Sequence, residues 1–411
     1  MRILHVNKFL YRRGGAEGYL FDVAQLQRDA GHEVAFFGMA HPDNEPMPYA
    51  SSFPSHLEFE PTPASPRGKL ENAGRMLWST SAARGINEVL GAFRPDVVHL
   101  HNIYHQLSPS ILRPVARRKI AAVMTLHDYK LACPTYRFLD HGTPCEACVP
   151  RKFWNAGIRA CNGSRAASAM AGLELGLHTL TGAYRSVGRF VCPSRFLESK
   201  MRAGKVFPDR LRWLPNFVDV DRWPAKDAPG TGVVFAGRLS DEKGVDVAVR
   251  AVASLPEATL DVAGDGPARP ALETLAAELD VIDRVRFHGR LATPELQAML
   301  RRAAVAVVPS RWYENQPLAV LEAFASGLPV VGTQLGGIPE LIEPGVDGER
   351  VPADDPPALA AALRPFLDDP ELAFTMGKAG RSKAERDHGP VRHLEGLLGV
   401  YDEARGMENA A

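Results

Sequence analysis

The sequence lacks the features that mark membrane, secreted and disulfide-rich proteins. No apolar run approaches the ~20 residues that a membrane-spanning helix requires, and the opening MRILHVNKF has too short an apolar run for a secretory signal. Five cysteines among 411 residues do not form a disulfide framework. We therefore expect a cytoplasmic protein whose stability comes from buried apolar cores.

A net charge is also absent, although charge is unevenly spread. The chain has 48 Lys and Arg and 48 Asp and Glu, with no stripe of interleaved basic and aromatic residues, so we expect no nucleic-acid partner. Residues 1–198 nevertheless hold 23 basic against 16 acidic side chains. This excess is either a drift in solvated surface charge or a sign of peripheral contact with an anionic membrane. The basic stretch Ile111–Ile120 is the best candidate for that contact.

Length and pattern predict an α/β protein of two facing, doubly wound, Rossmann-like domains. A chain of 411 residues is too long for one ordinary core, and 45% hydrophobic with 23% charged residues is typical of a globular enzyme. Short apolar runs alternate with helical segments in both halves. We place the domains at residues 1–198 and 199–392, with a hinge in the Pro-rich linker 220–231. A terminal helix, about 393–411, is expected to pack back on the first domain.

A glycine-bearing loop, which contains Gly14 and Gly15, follows the first predicted strand and opens a helix that we expect to end at Gly31. Loops of this kind commonly hold phosphates or substrates. Adjacent glycines are equally the mark of a tight turn. Further along, residues 41–67 contain seven prolines and predict a long functional or mobile loop. A helix is expected over residues 70–93.

Histidines lie at the ends of the next two predicted strands. His101 and His105 follow the strand 96–100, and His127 with Asp128 follows the strand after it. The spacing of His101 and His105 suits a metal on a helix, but no acidic cluster completes the set. We therefore favour polar side chains at a strand end. His127 is well placed to contact a substrate.

Four cysteines lie in one excursion after that strand. A CxxC pair with a single cysteine on each side has the ligand number of a four-thiolate zinc site, but the irregular spacings favour reduced, partly buried thiols. The cysteines concerned are Cys133, Cys145, Cys148 and Cys161. Asp219 and Asp221 likewise resemble a metal-binding pair, but the adjacent proline-rich linker favours turn chemistry.

The stretch 303–332 predicts a strand, a loop, a helix and a second strand. The unbroken apolar run at its start suits a strand buried on both faces of a parallel sheet, and Pro317 suits the first turn of a helix. Glu314 lies in the loop and Glu322 on the helix. Free amides at the start of such a helix bind anions, whereas the two carboxylates accept hydrogen bonds from hydroxyls.

A basic pair, Arg238 and Lys243, follows the first predicted strand of the second half. A guanidinium and an ammonium together suit a diphosphate, and both are expected to converge with the Glu314 loop in the cleft between the domains. Taken singly, each basic residue, like Glu322, is equally well explained as part of a solvated surface. Their combined order favours a site for a polyanion that carries hydroxyls.

These motifs together resemble the retaining glycosyltransferases of family four, which have the GT-B fold. The resemblance spans nearly the whole chain and rests on GGAE, TLHD, LPNFVD, FAGRLSDEKG, PSRWYENQPLAVLEAFASGLPVV and GGIPE, including the E-x7-E spacing of Glu314 and Glu322. The stretch HDYKLACPTYRFLDHGTPCEAC is similar to a branch of the family that assembles polysaccharides. The resemblance implies sugar transfer from a nucleotide-diphosphate donor, of the UDP or GDP type, with retention and without a metal or other cofactor. The acceptor is a hydroxyl of a glycan, a lipid-linked saccharide or a small molecule.

The resemblance also implies a role for each matched residue. His127 contacts the transferred sugar, Arg238 and Lys243 neutralise the leaving diphosphate, and Glu314 holds the sugar beside the reacting carbon. Glu322 holds the ribose. The remaining donor-binding positions are Gly14, Gly15, Asn216, Gly237, Arg290, Asn315, Gln316, Pro317 and Leu318.

The chain departs from the family at Asn315-Gln316, where Gly-Phe is frequent, so side chains there are expected to alter which sugar fits. Two other classes remain open. A nucleotide-sugar epimerase or a phosphorylase also uses two facing domains. A non-catalytic nucleotide-sugar-binding module would keep Arg238 and Glu322 without needing His127 or Glu314.

Overall fold

The first half of the chain forms a parallel six-stranded sheet. The computed structural model describes residues 1–57 and 74–410, with side chains through Met407. The strands of this half are β1 (Arg2–Val6), β2 (Glu33–Phe37), β3 (Val97–Leu100), β4 (Ala121–Thr125), β5 (Leu139–Asp140), β6 (Thr143–Pro144), β7 (Arg189–Cys192) and β8 (Leu211–Trp213). The sheet has the order β2-β1-β3-β4-β7-β8, while β5 and β6 pair as a separate antiparallel ribbon.

The second half repeats this architecture. Its strands are β9 (Val233–Ala236), β10 (Leu260–Ala263), β11 (Val285–Gly289), β12 (Val305–Val308), β13 (Val330–Thr333) and β14 (Gly348–Val351). They form one parallel sheet with the order β11-β10-β9-β12-β13-β14. The strand order reverses between β9 and β12, and in the first sheet it reverses between β1 and β3. The predicted α/β fold with two doubly wound sheets is confirmed.

Helices cover the faces of both sheets. In the first half they are α1 (Gly15–Asp29), α2 (Thr80–Phe93), α3 (Leu112–Arg117), α4 (Trp154–Arg159), α5 (Arg165–Thr181) and α6 (Arg195–Ala203). In the second half they are α7 (Val245–Ala253), α8 (Arg269–Glu278), α9 (Thr293–Arg302), α10 (Leu318–Ala325), α11 (Ile338–Leu341), α12 (Pro356–Asp368), α13 (Pro370–Asp387) and α14 (Pro390–Ala410).

Capping chemistry shifts two of the predicted helix starts. Ser79 accepts a hydrogen bond from the amide of Ala82 at 3.3 Å, so α2 begins at Thr80 rather than near residue 70. Residues 74–77 form a separate helical turn, and residues 58–73, which include parts of the predicted loop and helix, lie outside the described residues. Pro317 is extended and caps α10, one residue before the expected first turn.

The terminal helix α14 leaves the second half and packs on the first sheet. Leu397 and Tyr401 on this helix are fully buried in a cluster with Val123 of β4 and Val191 of β7. The helix begins at Pro390, three residues earlier than expected. Its apolar face therefore completes the core beneath the first sheet.

The boundary predicted between residues 198 and 199 does not fit the sheet topology. It falls inside α6, which Ser194 caps through a 3.1 Å hydrogen bond from the amide of Leu197 and which continues to Ala203. It also excludes β8, which pairs in parallel with β7 in the first sheet. The first sheet therefore extends to Trp213, and the segment 214–232 carries the chain to β9.

Candidate functional site

Most of the predicted site lies on loops at the switch point of the second sheet, which is the place between β9 and β12 where the strand order reverses. Gly237 and Arg238 follow β9, and residues 309–317 follow the neighbouring strand β12. Ligands of doubly wound sheets bind at such a point because the adjacent loops diverge and leave a crevice between them. Arg290 follows β11 at the same edge of the sheet.

Glycines allow these loops to approach one another closely. Gly264 has a φ of 138°, and a Cβ there would overlap the carbonyl oxygen of Gly237. Gly336 has a φ of 64°, and a Cβ there would overlap the backbone of Glu314. The amide of Gly337 donates to the carbonyl oxygen of Glu314 at 2.7 Å. The GGIPE stretch thus supports the Glu314 loop.

Lys243 and Glu314 form an ion pair at the centre of the site. The Nζ atom of Lys243 lies 2.6 Å from Oε1 of Glu314, which also accepts from the Ser310 hydroxyl at 2.7 Å. Burial acts to raise the pKa of Glu314, but Lys243, Trp312 and Ser310 outweigh burial and hold that pKa below its usual range. Glu314 is therefore an ionised acceptor at neutral pH.

Arg238 and Arg290 present free guanidinium groups at the same edge. Both side chains are exposed, and within residues 1–57 and 74–410 neither has a hydrogen-bond or ion-pair partner. Gly237, also exposed, leaves the backbone beside Arg238 open. Together with Lys243, these groups concentrate positive charge where the strands end, which is the charge that a diphosphate requires.

The start of α10 brings Glu322 and the glycine loop of the first half together. A Cβ on Gly15 would lie 3.7 Å from Cδ1 of Leu318, so the starts of α1 and α10 are adjacent. Glu322 is partly buried on the first turns of α10. Burial first, and then the nearby Asp22, raise the pKa of Glu322 to about 7. A carboxyl group in this environment gains from hydroxyl donors such as those of a ribose.

Direct hydrogen bonds join the Glu314 loop to the first half. Asn315 donates from Nδ2 to the carbonyl oxygen of Leu126 at 2.9 Å and accepts from the Ser194 hydroxyl at 2.9 Å. Gln316 accepts from the backbone amide of Asn216. Asn315 therefore links the two halves, and Gln316 links its loop to the joining segment, while an influence of both side chains on sugar fit stays a prediction.

Asn216 and Tyr129 reinforce the same contact. Nδ2 of Asn216 donates to the carbonyl oxygen of Gln316 at 3.2 Å. The Tyr129 hydroxyl donates to the carbonyl oxygen of Glu314 at 3.3 Å. His127 is two residues before Tyr129 and follows Leu126, so it lies beside the Glu314 loop at the boundary between the halves.

The histidines of the first half form a connected cluster. Nε2 of His127 lies 2.9 Å from Nδ1 of His101, and Nε2 of His101 lies 3.0 Å from Nδ1 of His5. Within the described residues, His5, His99 and His101 are the one group of three whose ligand atoms lie within 4.8 Å of one another. His105 is elsewhere, with Nδ1 3.2 Å from a carboxylate oxygen of Glu174, so His101 and His105 share no site.

The spacing of the cysteines left a four-thiolate zinc site as an alternative. All five are free thiols, and no three of them meet the 4.8 Å separation that the histidines meet. Burial first, and then the neighbouring thiols, raise the pKa of Cys148 to about 12, while burial chiefly raises that of Cys161 to about 11. That these thiols are reduced and metal-free stays a prediction.

Asp219 makes the turn contact expected of it. Its Oδ1 accepts from the backbone amide of Asp221 at 3.2 Å, at the start of a short helical turn. The carboxylate is therefore used within its own turn.

Two acidic residues that the sequence placed at strand ends have environments that it did not predict. Burial raises the pKa of Asp128 to about 6, although the amide of Lys130 and the charge of Lys8 act to lower it. Glu340 caps α6 from the second half, because its oxygens accept from the amides of Arg195 and Phe196 at 2.9 and 2.6 Å. The motifs HD and GGIPE contain these residues and would have been the signal.

Comparison with known proteins identifies the family. Residues 13–222 match the profile of Glycosyltransferase Family 4, which covers just over half of the chain, and residues 224–383 match that of the glycosyl transferases group 1. The chain belongs to glycosyltransferase family 4. The two matches meet in the segment that joins the two sheets.

Curated relatives of this family 4 member match it over part of their length. A glycogen synthase from Mycobacterium tuberculosis (strain CDC 1551 / Oshkosh) is 39% identical over 182 residues, which is 42% of this chain and 44% of the relative. A D-inositol 3-phosphate glycosyltransferase from Streptomyces avermitilis is 39% identical over 165 residues, 37% of this chain and 35% of the relative. The matched segment thus spans less than half of these relatives.

Solved structures share the fold over the full chain. Sucrose-phosphate synthase from Thermosynechococcus elongatus superposes with a TM-score of 0.74 at 21% identity and covers all of both chains. Alr3699/HepE from Anabaena, solved in complex with UDP and glucose, has a TM-score of 0.69 at 18% identity and covers 98% of this chain and 99% of that one. These similarities establish the GT-B architecture.

Proposed function

We propose that the protein transfers a sugar from a nucleoside-diphosphate donor to a hydroxyl of an acceptor, with retention of anomeric configuration and without a metal. The observation that carries this proposal is the cationic edge of the second sheet, where the exposed Arg238 follows β9 and Lys243 is paired with Glu314. In the transfer, the bond between the anomeric carbon and the phosphate oxygen breaks and a bond to the acceptor oxygen forms. The proton of the acceptor hydroxyl passes to the leaving diphosphate.

The catalytic contribution of the site is electrostatic. Negative charge grows on the diphosphate as the anomeric bond breaks, so cations that are already in place stabilise the transition state more than the ground state. Arg238 and Arg290 are unpaired within the described part of the chain, and Lys243 is tethered through Glu314. These three cations supply the neutralisation that a divalent metal supplies in other phosphate sites.

The donor is proposed to carry uracil as its base. Support comes from the structurally similar Alr3699/HepE of Anabaena, which was solved in complex with UDP and glucose and with UDP-glucose. Glu322, with its pKa raised to about 7, is the acceptor proposed for the ribose hydroxyls. The helix start at Leu318 offers its amides to the diphosphate.

The test is a panel of UDP- and GDP-sugars, incubated with the protein in the presence and absence of a chelator. We expect release of nucleoside diphosphate from one UDP-sugar, faster with a hydroxyl acceptor and unchanged by the chelator. An isomerised donor without transfer would assign an epimerase, dependence on inorganic phosphate would assign a phosphorylase, and binding without turnover would assign a non-catalytic module. Each of these three results overturns the proposal.

We further propose that the acceptor side of the protein rests on an anionic membrane, through a face of α4 and α5 that is apolar at its centre and basic at its rim. None of the helices within the described residues is long and apolar enough to cross a bilayer. On α5 the spacing of the exposed apolar residues places them in one stripe, and those of α4 flank Gly157, which abuts Ala169 of α5. The exposed side chains are Trp154 (62%), Ile158 (67%), Leu173 (59%), Leu177 (39%) and Leu180 (82%).

The basic residues around this face are complementary to the negative charge of an anionic bilayer. Arg151, Lys152 and Arg165 are exposed around it, and Arg159 is exposed but paired with Asp140, while Glu174, the single acidic residue of α4 and α5, is buried. Exposed tryptophan and leucine beside basic residues are typical of segments that lie in the interface of anionic lipid. The stretch Ile111–Ile120, predicted for this role, exposes its cations but buries Ile111, Leu112 and Val115, so it offers no apolar anchor.

Sedimentation with vesicles tests the face. We expect binding to phosphatidylglycerol vesicles that weakens with salt, no binding to phosphatidylcholine vesicles, and loss of binding in a Trp154→Ser, Ile158→Ser, Leu180→Ser variant. Val391→Ser is the control, because Val391 is 69% exposed on α14. Equal binding to both lipids would contradict the proposal. So would a dimer that the triple substitution dissociates without any binding to vesicles.

A further inference from the structure

A series of buried polar contacts runs beneath the site and ends at His127. It begins at the carbonyl oxygen of Pro215, in the segment that joins the halves. Nδ1 of His393 lies 2.7 Å from this oxygen, and since a carbonyl only accepts, Nδ1 carries a proton. Burial lowers the pKa of His393 to about 4, so the ring is neutral and its Nε2 accepts. The donor to Nε2 is the Tyr19 hydroxyl, at 2.9 Å.

The direction of each following bond is then determined. Tyr19 has one hydroxyl proton, which it gives to His393, so toward the neighbouring Thr125 it can only accept. Thr125 in turn accepts from the Nε2–H of His99 at 2.7 Å. Burial holds the pKa of His99 well below its usual value, so its Nδ1 accepts, and the donor is the Tyr401 hydroxyl at 2.7 Å.

Gln27 carries the chain from α14 to the histidine cluster. Nε2 of Gln27 donates to the Tyr401 hydroxyl at 2.9 Å, which leaves the proton of Tyr401 for His99. The amide oxygen of Gln27 therefore faces His5 and accepts its Nε2–H at 2.7 Å. Burial lowers the pKa of His5 to about 4, so Nδ1 of His5 accepts from the Nε2–H of His101 at 3.0 Å.

The last link fixes the proton of His127. Burial lowers the pKa of His101 well below its usual value, so Nδ1 of His101 accepts, and its donor at 2.9 Å is Nε2 of His127. Burial lowers the pKa of His127 to about 4, so this neutral ring has an unprotonated Nδ1. Nothing in the described residues bonds that Nδ1, and the side chain is partly exposed at the boundary between the halves.

We propose that this chain holds His127 as the Nε2–H tautomer, so that Nδ1 accepts a hydrogen bond from a hydroxyl of the donor sugar. Acceptance of the sugar hydroxyl by Nδ1 of His127 rests on the proposed function, whereas the tautomer of His127 does not. Gln27, His5, His101 and Tyr401 are positioning residues that act through His127. A neutral sugar with a free hydroxyl at that position fits, but fluorine and the carboxylate of a uronate do not, because neither can donate a proton.

The same bonds explain the histidine group without an ion. Both ring nitrogens of His5 are engaged, with Gln27 and His101. Both nitrogens of His99 are engaged, with Thr125 and Tyr401. His101 bonds His5 on one side and His127 on the other. No ring nitrogen of the group has a lone pair left for a metal, although the spacing alone would permit one.

The tautomer is tested by long-range proton–nitrogen NMR on protein labelled with ¹⁵N-histidine, with His127→Gln used to assign the signals. We expect a protonated Nε2 and an unprotonated Nδ1 for His127 at pH 7, and an Nδ1 signal that shifts on addition of the accepted nucleotide sugar but not of the nucleoside diphosphate alone. A protonated Nδ1, or a stoichiometric metal in the purified protein, would overturn the inference. The NMR measurement of the tautomer requires no turnover. Its outcome can therefore be told apart from a failure of the proposed sugar transfer.

Tyr401→Phe tests whether the chain enforces the tautomer. The substitution keeps the buried ring but removes the hydroxyl between His99 and Gln27, so Nε2 of Gln27 loses its acceptor and the orientation of this amide toward His5 is no longer fixed. We expect NMR signals of both His127 tautomers in this variant. We also expect kcat/KM for the sugar donor to fall about tenfold, the scale of one hydrogen bond, while the affinity for the nucleoside diphosphate is unchanged. Tyr104→Phe is the control, because the buried Tyr104 hydroxyl has no hydrogen-bond partner among the described residues. Equal behaviour of the two variants would contradict the inference.

Discussion

Lys243 and Glu314 lie in direct contact across the switch point, with Nζ and Oε1 2.6 Å apart. The sequence led us to expect separate tasks for these residues, the cation at the diphosphate and the carboxylate at the sugar. The ion pair makes them one charged unit, in which the position of each side chain depends on the other. A donor that reaches both groups therefore has its diphosphate and its sugar aligned by a single contact within the protein.

Loss of Lys243 is expected to reduce both activity and stability. Lys243→Met leaves the buried carboxylate of Glu314 without its cation, and breaking a buried pair from one side costs about 3 kcal/mol. Activity should fall by roughly 10²- to 10³-fold, the scale for one electrostatic donor at a transition state. The double variant Lys243→Met, Glu314→Gln removes both charges and should recover most of the lost unfolding free energy but none of the activity. Denaturant titrations and turnover assays separate these effects, and equal stability of the single and double variants would argue against the coupling.

Loss of Arg238 should reduce activity alone. The guanidinium is exposed and has no partner within residues 1–57 and 74–410, so Arg238→Ala should change the unfolding free energy by less than about 0.5 kcal/mol. Activity should fall by roughly 10²- to 10³-fold because the leaving diphosphate loses a bidentate donor. Arg364→Ala, an exposed arginine on α12, is the control. Near-normal turnover of Arg238→Ala would remove this residue from the site.

The parts of the site that lie close together in sequence could be predicted from it. Arg238 and Lys243 share one loop, and Glu314 and Glu322 share one loop and helix, so local spacing was sufficient. The hydrogen-bond chain to His127 could not be found in this way. His5 and His99 are paired only through the register of β1 and β3, and Tyr401 reaches them from a helix 302 residues beyond His99.

The contact between the two halves was also beyond prediction. Asn315 and Gln316 differ from the residues frequent in the family, and their sequence neighbours give no sign of what they touch. Their partners, Leu126, Ser194 and Asn216, lie 100 or more residues away. The boundary at residue 198 failed for a related reason, because β8 is a short strand whose membership of the first sheet depends on pairing with β7.

Removal of the Asn315 side chain should open the contact between the halves. Asn315→Ala removes two hydrogen bonds across it, to Leu126 and Ser194, each worth about 1 kcal/mol. We expect a larger radius of gyration in small-angle scattering and a higher KM for the donor, with little change in far-ultraviolet circular dichroism. Asn87→Ala is the matched control, since its amide oxygen accepts from Arg118 at 3.2 and 3.1 Å within the first half. An identical scattering profile for both variants would show that Asn315 does not hold the halves together.

The raised pKa of Glu322 predicts how stability depends on pH. Between the ordinary carboxyl value and about 7, the folded protein binds this proton more tightly than the unfolded chain does, so unfolding free energy falls as pH rises through that window. Above about pH 7 the carboxylate is ionised in both states and the penalty is constant. Glu322→Gln has no such penalty, so it should unfold at a higher temperature than the parent at pH 8, with a smaller difference at pH 5.

Glu403, whose pKa is lowered rather than raised, provides the control for Glu322→Gln. Burial acts to raise the pKa of Glu403, but Arg189 and Arg212 outweigh it and hold the pKa below its usual value. Its ionised form therefore stabilises the fold, and Glu403→Gln should lower the unfolding temperature at pH 8, with a loss that shrinks on acidification. The stabilised Glu322→Gln should still bind the nucleotide more weakly, because an amide offers one acceptor oxygen to the ribose hydroxyls where a carboxylate offers two. If Glu322→Gln does not unfold at a higher temperature than the parent at pH 8, the buried environment assigned to Glu322 is wrong. If its affinity for the nucleotide is unchanged, the role assigned to Glu322 is wrong.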